Sequence, residues 1–314
     1  MNSPITGLHH VTAIASDPQT NLDFYSRVLG MRLVKKTINY DDPAMYHFYF
    51  GDAAGRPGTI LTFFPIPRAH QGTSGVGQTN VTGLAVPVGA LAYWQERLAS
   101  FSVATEAGTA FGQPVLTFQD PDGLTLQLVE TAESRPGEAW AAGPIPVEVA
   151  IRGVHHVLLE EAEYTPTVSL LTETMGFRHV ATEGDVHRFA VGEGGPGTLV
   201  DVLVNPDGEA GRNAAGTVHH IAFRVADDES QALWRATLVA LGYDVSPIRD
   251  RQYFHSIYYR ERGGVLFELA TDAPGFAIDE TLETLGSGLM LPKWLEPGRA
   301  NIQKRLPVVT LPEV

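Results

Sequence analysis

Short runs rich in β-branched and aromatic residues recur along the chain, and each opening run is followed by apolar positions at helical spacing. The pattern is fullest over residues 216–270. Gly216 to Val225 reads as a strand, Leu233, Trp234, Leu238 and Leu241 as the apolar side of a helix, and Gly263 to Ala270 as a closing strand. Residues 7–14 repeat the opening, and a helix is predicted from Asp17-Pro18, with Leu22, Tyr25, Val28 and Leu29 on one face and Gly30 as its stop. Strands follow around 31–39, 46–50 and 58–64. A polar, glycine-rich connector over 68–79 leads to a second copy over 81–129, and a third opens at Gly153-Val154-His155-His156 and closes with 197–203.

Four copies at a spacing of roughly 60–75 residues make an internal repeat, each unit reading strand, helix, then three strands. One such unit leaves an open, half-apolar sheet, so it must find a second to cover its face and edges. The predicted fold is therefore α+β, with four βαβββ modules paired into two barrel-like domains. In chain order the modules form a first pair over residues 1–132 (7–66 and 80–131) and a second pair over 151–272 (152–205 and 216–271). Residues 133–150, with their prolines and glycines, read as the linker between them. Residues 273–314 fall outside the repeat, and Leu289, Leu291, Trp294 and Leu295 predict a tail that packs on the body.

The 36 acidic residues outnumber the 22 basic ones, and the net charge of -14 argues against a nucleic-acid partner or an anionic membrane surface. Without cysteine there is no disulfide, zinc–thiolate cluster or thiol nucleophile, so a metal would have to use His, Asp or Glu. The amino terminus carries no basic segment followed by an apolar one, and nowhere do 18 apolar residues run together, so a cytoplasmic location is the expectation.

Superposing the copies places His10, Gly83, His156 and His220 at one position of the opening strand, and Thr62, Gln127, Asp201 and Glu268 at one position of the closing strand. On that alignment the second copy has lost both ligand types, and the fourth alone combines an imidazole with a glutamate. Strand alternation predicts that His9 faces away from His10, and His219 away from His220, with the second of each pair as the ligand. Thr12 shares the face of His10. A lone buried histidine reads more readily as a hydrogen-bonded core residue. A His-His dipeptide in three of four copies, joined by Glu268, instead favours a metal centre. Spacing leaves the pairing open. With the third copy beside the fourth, the set is His156, Asp201, His220 and Glu268, which suits an isomerase or epimerase. With the first copy there, Thr62 replaces the second carboxylate, and two imidazoles and one carboxylate leave open positions, as in non-haem Fe(II) oxygenases.

These residues also carry a resemblance. The repeated unit, with His on opening strands and Glu on a closing strand, resembles the vicinal oxygen chelate superfamily, whose fold is glyoxalase/bleomycin-resistance-like. Nearly the whole chain is similar to its two-domain, Fe(II)-dependent ring-cleaving dioxygenases of the hydroquinone-cleaving group. The matching segments are Leu8-His9-His10-Val11-Thr12, Val218-His219-His220, Arg251-Gln252-Tyr253-Phe254 with Tyr258, Gly263-Gly264-Val265-Leu266-Phe267-Glu268, and Leu289 to Pro297. The resemblance implies that the first and fourth copies share a domain and that His10, His220 and Glu268 bind Fe(II), with Mn(II) the second choice. It assigns supporting or substrate-contacting roles to His9, Thr12, His219, Arg251 and Tyr258, and a small aromatic substrate and O2 as reactants. It leaves assembly into a homo-oligomer open. On charge alone Arg251 reads equally well as a surface ion pair in a charged turn, and Tyr258 as a packing residue. His255 departs from the family pattern and is a further acid/base candidate. The competing readings are a glyoxalase-type isomerase, marked by Zn or Ni and no oxygen requirement, and a metal-free small-molecule-binding protein of the same fold.

Overall fold

A computed structural model describes residues 3–132 and 137–311. The first module comprises β1 (Leu8–Ala15), α1 (Pro18–Asp23), β2 (Arg32–Ile38), β3 (Tyr46–Gly51) and β4 (Ile60–Pro65). The second has β5 (Gln78–Pro87), α2 (Leu91–Ser100), β6 (Thr105–Ala110), β7 (Gln113–Gln119) and β8 (Thr125–Thr131). The third has β9 (Gly153–Glu161), α3 (Tyr164–Ser169), β10 (Arg178–Glu183), β11 (Val186–Ala190) and β12 (Leu199–Val204). The fourth has β13 (Val218–Val225), α4 (Asp228–Ala240), β14 (Arg249–Asp250), β15 (His255–Arg260) and β16 (Leu266–Thr271), and the tail ends in α5 (Arg299–Arg305).

Local chemistry sets the helix ends. Asp17 accepts from the Thr20 amide at 2.8 Å with Pro18 in the first turn, and Gly30, at φ 65°, provides the left-handed stop. Between them α1 runs into a π-helical turn, Phe24–Val28. In α4 the cap is Asp227, bonded to the Ser230 amide at 2.8 Å. Of the apolar positions expected on that helix, Trp234 and Leu238 are buried while Leu233 and Leu241 are exposed. The inward stripe is completed instead by Gln231, whose amide donates to the carbonyls of His255 and Leu269.

The strands form two curled eight-stranded sheets, ordered β14-β15-β16-β13-β1-β4-β3-β2 and β10-β11-β12-β9-β5-β8-β7-β6. Within each module the opening strand pairs parallel to its closing strand, and between modules two opening strands pair antiparallel. The first module therefore shares a sheet with the fourth, and the second with the third. This corrects the chain-order grouping of modules into 1–132 and 151–272 and agrees with the pairing of first and fourth copies that the resemblance implies. The edge of β1 is covered by β13, from the far end of the chain, and β5 by β9. Residues 133–150 consequently join two modules of one sheet, β8 to β9, rather than two domains. Of these, 133–136 lie outside the described residues, and the rest is packed down, with Ala139, Ile145 and Ala150 buried and Val149 accepting from the Trp94 indole at 2.8 Å. The crossings between sheets are the segments before β5 and before β13. They run side by side through bridges Gln71 to Ala215, Thr73 to Arg212 and Val76 to Ala210.

At the centre of each sheet both opening strands carry a β-bulge. Leu8 and His10 oppose Phe223 and Ala222, so His9 is the extra residue on β1, and the same count makes His219 the extra residue on β13. In the second sheet the extra residues are Asn80 and His155.

The tail is fastened to the first sheet. Lys35, fully buried on β2, is paired with Asp279 at 2.6 Å and Glu280 at 2.5 Å, and Asp279 also accepts from the Tyr253 hydroxyl at 3.0 Å. Leu291 is buried and Leu289 and Leu295 partly so, as expected of a packed tail, whereas Trp294 is half exposed with its edge on Tyr40.

Candidate metal centre

Strand register places the site residues in two related rows on the concave side of the first sheet. One row is His10, Ala222, Glu268, Tyr258, and its counterpart is His220, Thr12, Thr62, Tyr49. The second sheet has the matching rows Val81, Leu158, Asp201, Arg188 and His156, Gly83, Gln127, Thr117. The closing-strand alignment of Thr62, Gln127, Asp201 and Glu268 agrees with this register, but the opening-strand one does not. Val81, not Gly83, stands where His10 stands, because the bulged pair of the second copy is Asn80-Val81 and has no histidine to mark it. Gly83 answers to Thr12, and a methyl group there would overlap the His156 ring.

His10, His220 and Glu268 converge. The Nε2 atoms of the two imidazoles are 3.3 Å apart and lie 3.3 and 2.9 Å from Glu268 Oε2. Cis ligands on an octahedral ion with bonds of about 2.1 Å are separated by about 3.0 Å, so these spacings fit three ligands on one face of a divalent ion. All three are buried, and Glu268 Oε2 has no aligned hydrogen-bond donor among the described residues despite its neighbours. Three buried ligand atoms gathered this closely, one of them a carboxylate oxygen with no donor aligned on it, suit a shared cation better than a polar core. Burial lowers the pKa of His220. Burial would raise that of Glu268, but the two imidazoles hold it well below the usual carboxylate range. The oxygen Oε1 accepts from Ser256.

The bulges overturn the expected alternation. His9 does not face away from His10: their Nδ1 atoms are 2.9 Å apart, and His219 and His220 approach likewise at 2.8 Å. With two residues opposing one, both side chains of each pair emerge on the same side. Burial keeps His9 well below its ordinary pKa and lowers His219 to about 3, so both rings are neutral and their Nδ1 atoms can accept a hydrogen bond from the Nδ1–H of the next histidine. With the hydrogen on Nδ1 of His10 and His220, their Nε2 atoms carry the lone pairs a metal would need.

A cavity of about 490 Å³ opens over these residues, within the usual 300–1,000 Å³ of small-molecule pockets. Its walls are apolar at Ile14, Met45, Phe64, Ile66 and Leu266, with Arg251 and Tyr258 on the fourth-module side. Arg251 Nε donates to the Tyr258 hydroxyl at 3.0 Å, and Nη1 pairs with Asp41, in the turn between β2 and β3, at 3.0 Å. Burial opposes the charge, yet Tyr258 and Asp41 hold the guanidinium above its ordinary pKa. Burial likewise raises Tyr258, which stays a neutral phenol with its own proton free to donate. Thr12 bonds to Thr62 at 3.0 Å.

His255 lies outside this group, its Nδ1 held by Asp228 of α4 at 2.6 Å. His156 and Asp201 are in the other sheet, so the ligand set His156, Asp201, His220 and Glu268 is not assembled. Asp201 is instead clamped by Arg188 through two bonds of 2.7 Å. Three residues beside the centre, His47, Tyr49 and Ser256, were not singled out from the sequence. The available signal was period two: His47 and Tyr49 share one face of an otherwise core-facing aromatic strand, and Ser256 and Tyr258 do the same on β15.

The second-sheet histidine supplies a pH test. Burial lowers His156 to about 3, below the value of about 6.5 expected when unfolded, so under that pH the unfolded chain binds a proton that the folded chain refuses. Its contribution should cost about 2 kcal/mol at pH 5 relative to neutrality. Urea unfolding of His156→Asn should show a correspondingly flatter loss of stability between pH 7 and 5 than the native chain, and equal slopes would reject the assignment.

Residues 7–128 and 153–269 match the family model described as Glyoxalase/Bleomycin resistance protein/Dioxygenase superfamily, and the chain belongs to that superfamily. It is 48% identical over 302 residues to the Bacillus subtilis (strain 168) protein named "Putative ring-cleaving dioxygenase MhqO", covering 96% of this chain and 95% of that one. It is 38% identical over 299 residues to the chlorohydroquinone/hydroquinone 1,2-dioxygenase of Sphingobium indicum, covering 93% of each. A crystal structure of a "putative dioxygenase" from Bacillus subtilis subsp. subtilis str. 168 superposes with a TM-score of 0.95 at 46% identity, covering 99% of this chain and 100% of that one. These relatives support a dioxygenase. Among the described residues no helix is long and apolar enough to cross a membrane.

Proposed function

We propose that the protein is a non-haem Fe(II)-dependent dioxygenase that opens a hydroquinone-type aromatic ring with O2. The observation that carries this reading is the convergence of His10, His220 and Glu268 with no fourth protein ligand among the described residues: Thr62 occupies the register position equivalent to Glu268. A full four-ligand set, as an isomerase reading requires, would need a second carboxylate there. When bound, Fe(II) supplies a single centre on which a phenolic oxygen and O2 meet. The remaining work falls to the chain. His9 and His219 orient the two imidazoles. The Tyr258 hydroxyl, polarised by Arg251, donates to a substrate oxygen, and Arg251 favours the ionised phenol by its charge. The apolar walls hold the ring and exclude water. The net negative charge of the ligand set, one carboxylate and two neutral imidazoles, suits Fe(II), with Mn(II) the alternative divalent ion.

Anaerobic loading with Fe(II), followed by oxygen uptake on addition of hydroquinone, methylhydroquinone or catechol, tests this. Uptake with a para-diol, equimolar with loss of the aromatic absorbance, is expected. An iron-loaded protein that consumes no oxygen with any of the three would end the proposal.

A further inference from the structure

The site contains one imidazole that neither the ligand set nor the supporting pairs use. His47 lines the cavity from β3, with its Nε2 2.7 Å from Thr62 Oγ1 and its Nδ1 3.0 Å from the Tyr49 hydroxyl. Thr62 stands where the fourth module has Glu268, and its hydroxyl continues to Thr12, beside His10, at 3.0 Å. Four groups from β1, β3 and β4 thus form one hydrogen-bonded chain that ends next to the position a second carboxylate would otherwise claim.

We propose that His47 is a positioning residue: held by Tyr49 as the Nε2–H tautomer, it sets the direction of hydrogen bonding through Thr62 to Thr12, so that the Thr12 hydroxyl donates into the face left open by the three ligands. Tyr49 is buried, its hydroxyl 3.0 Å from Nδ1, and burial pushes its pKa above that of an ordinary phenol, so it keeps a proton that it can donate to Nδ1, the direction this proposal assigns. The neutral ring then carries its hydrogen on Nε2 and donates to Thr62. The Thr62 hydroxyl in turn donates to Thr12 Oγ1, which leaves the Thr12 hydrogen for an oxygen in the site. Tilted ring contacts of His47 with Tyr49 and Phe64, with centroids at 4.1 and 4.4 Å, hold the ring plane. The functional half of this inference rests on the metal-centre reading above, but the tautomer does not.

Histidine-selective 15N NMR of the metal-free protein separates the two. The signals lost in His47→Gln should report an unprotonated Nδ1 and a protonated Nε2, and Tyr49→Phe should move the same signals toward a mixture of tautomers. In iron-loaded protein, both variants should lower kcat by about tenfold while iron content and the KM for the diphenol stay within about twofold. An Nδ1–H tautomer, signals unmoved by Tyr49→Phe, an undiminished kcat, or loss of iron from Tyr49→Phe would each overturn the proposal. Should His47→Gln fail to fold, Tyr49→Phe alone still identifies and tests the ring. A native protein that consumes no oxygen would sink the dioxygenase reading and leave the NMR result to decide the tautomer.

Discussion

Glu268→Gln is expected to abolish oxygen uptake and to weaken iron binding by more than about 100-fold, since loss of a residue that merely supports a ligand already costs about 10- to 100-fold. Glu268 is the sole anion of the three converging residues, and its buried Oε2 faces two imidazole nitrogens with no donor aligned on it. A carboxamide of the same shape keeps the bond from Ser256 but offers no charge to a divalent ion. The metal-free variant should fold, because the change removes a charge from a fully buried position. Iron content after anaerobic loading and desalting, measured with oxygen uptake on the same sample, decides the matter. Native iron content in Glu268→Gln would remove this residue from the centre.

The second large effect is expected in the other sheet. Arg188→Met should destabilise the protein by about 3–5 kcal/mol, because it leaves Asp201, 1% exposed, without the guanidinium that bonds both of its oxygens. Adding Asp201→Leu should restore most of that loss, since replacing both members of a buried pair by apolar side chains is close to neutral. Urea denaturation of the two single variants and the double variant gives the coupling. A cost below about 1 kcal/mol for Arg188→Met would show that Asp201 is solvated or protonated without it. The same pair makes the two related sheets differ in chemistry. Where the first sheet presents Tyr258 next to Glu268, the second presents Arg188 next to Asp201, and the arginine neutralises the carboxylate that a cation would need.

Much of this was legible from residues alone because the repeat is marked by side chains that carry chemistry. The His-His dipeptides fixed three opening strands in register, and the Thr62, Gln127, Asp201, Glu268 alignment survives in the strand pairing. What was not legible lay in the backbone. A bulge leaves no compositional trace, so strict alternation placed His9 and His219 on the wrong side and slid the second copy by two residues, from Val81 to Gly83. The partners of the modules are not fixed by the strand pattern, since each opening strand has the same apolar edge and chain order favours the nearest copy; the resemblance alone points to the pairing of the first copy with the fourth. His47 is inconspicuous in the sequence because it sits in Tyr46 to Phe50, a run whose other members spell an ordinary core strand.

The sharing of one sheet by the two ends of the chain bears on biosynthesis. Residues 78–204 contain every strand of the second sheet, so that half can close while the fourth module is still being made. The first module must wait with one edge of β1 unpaired until β13 emerges more than 200 residues later, a long-range closure of the slow kind. Glu268 and His220 arrive together with that closure, so a nascent chain holds only His10 of the triad. On the proposed reading metal capture would be deferred until translation is nearly finished, and a chain truncated before β13 should be unable to retain iron.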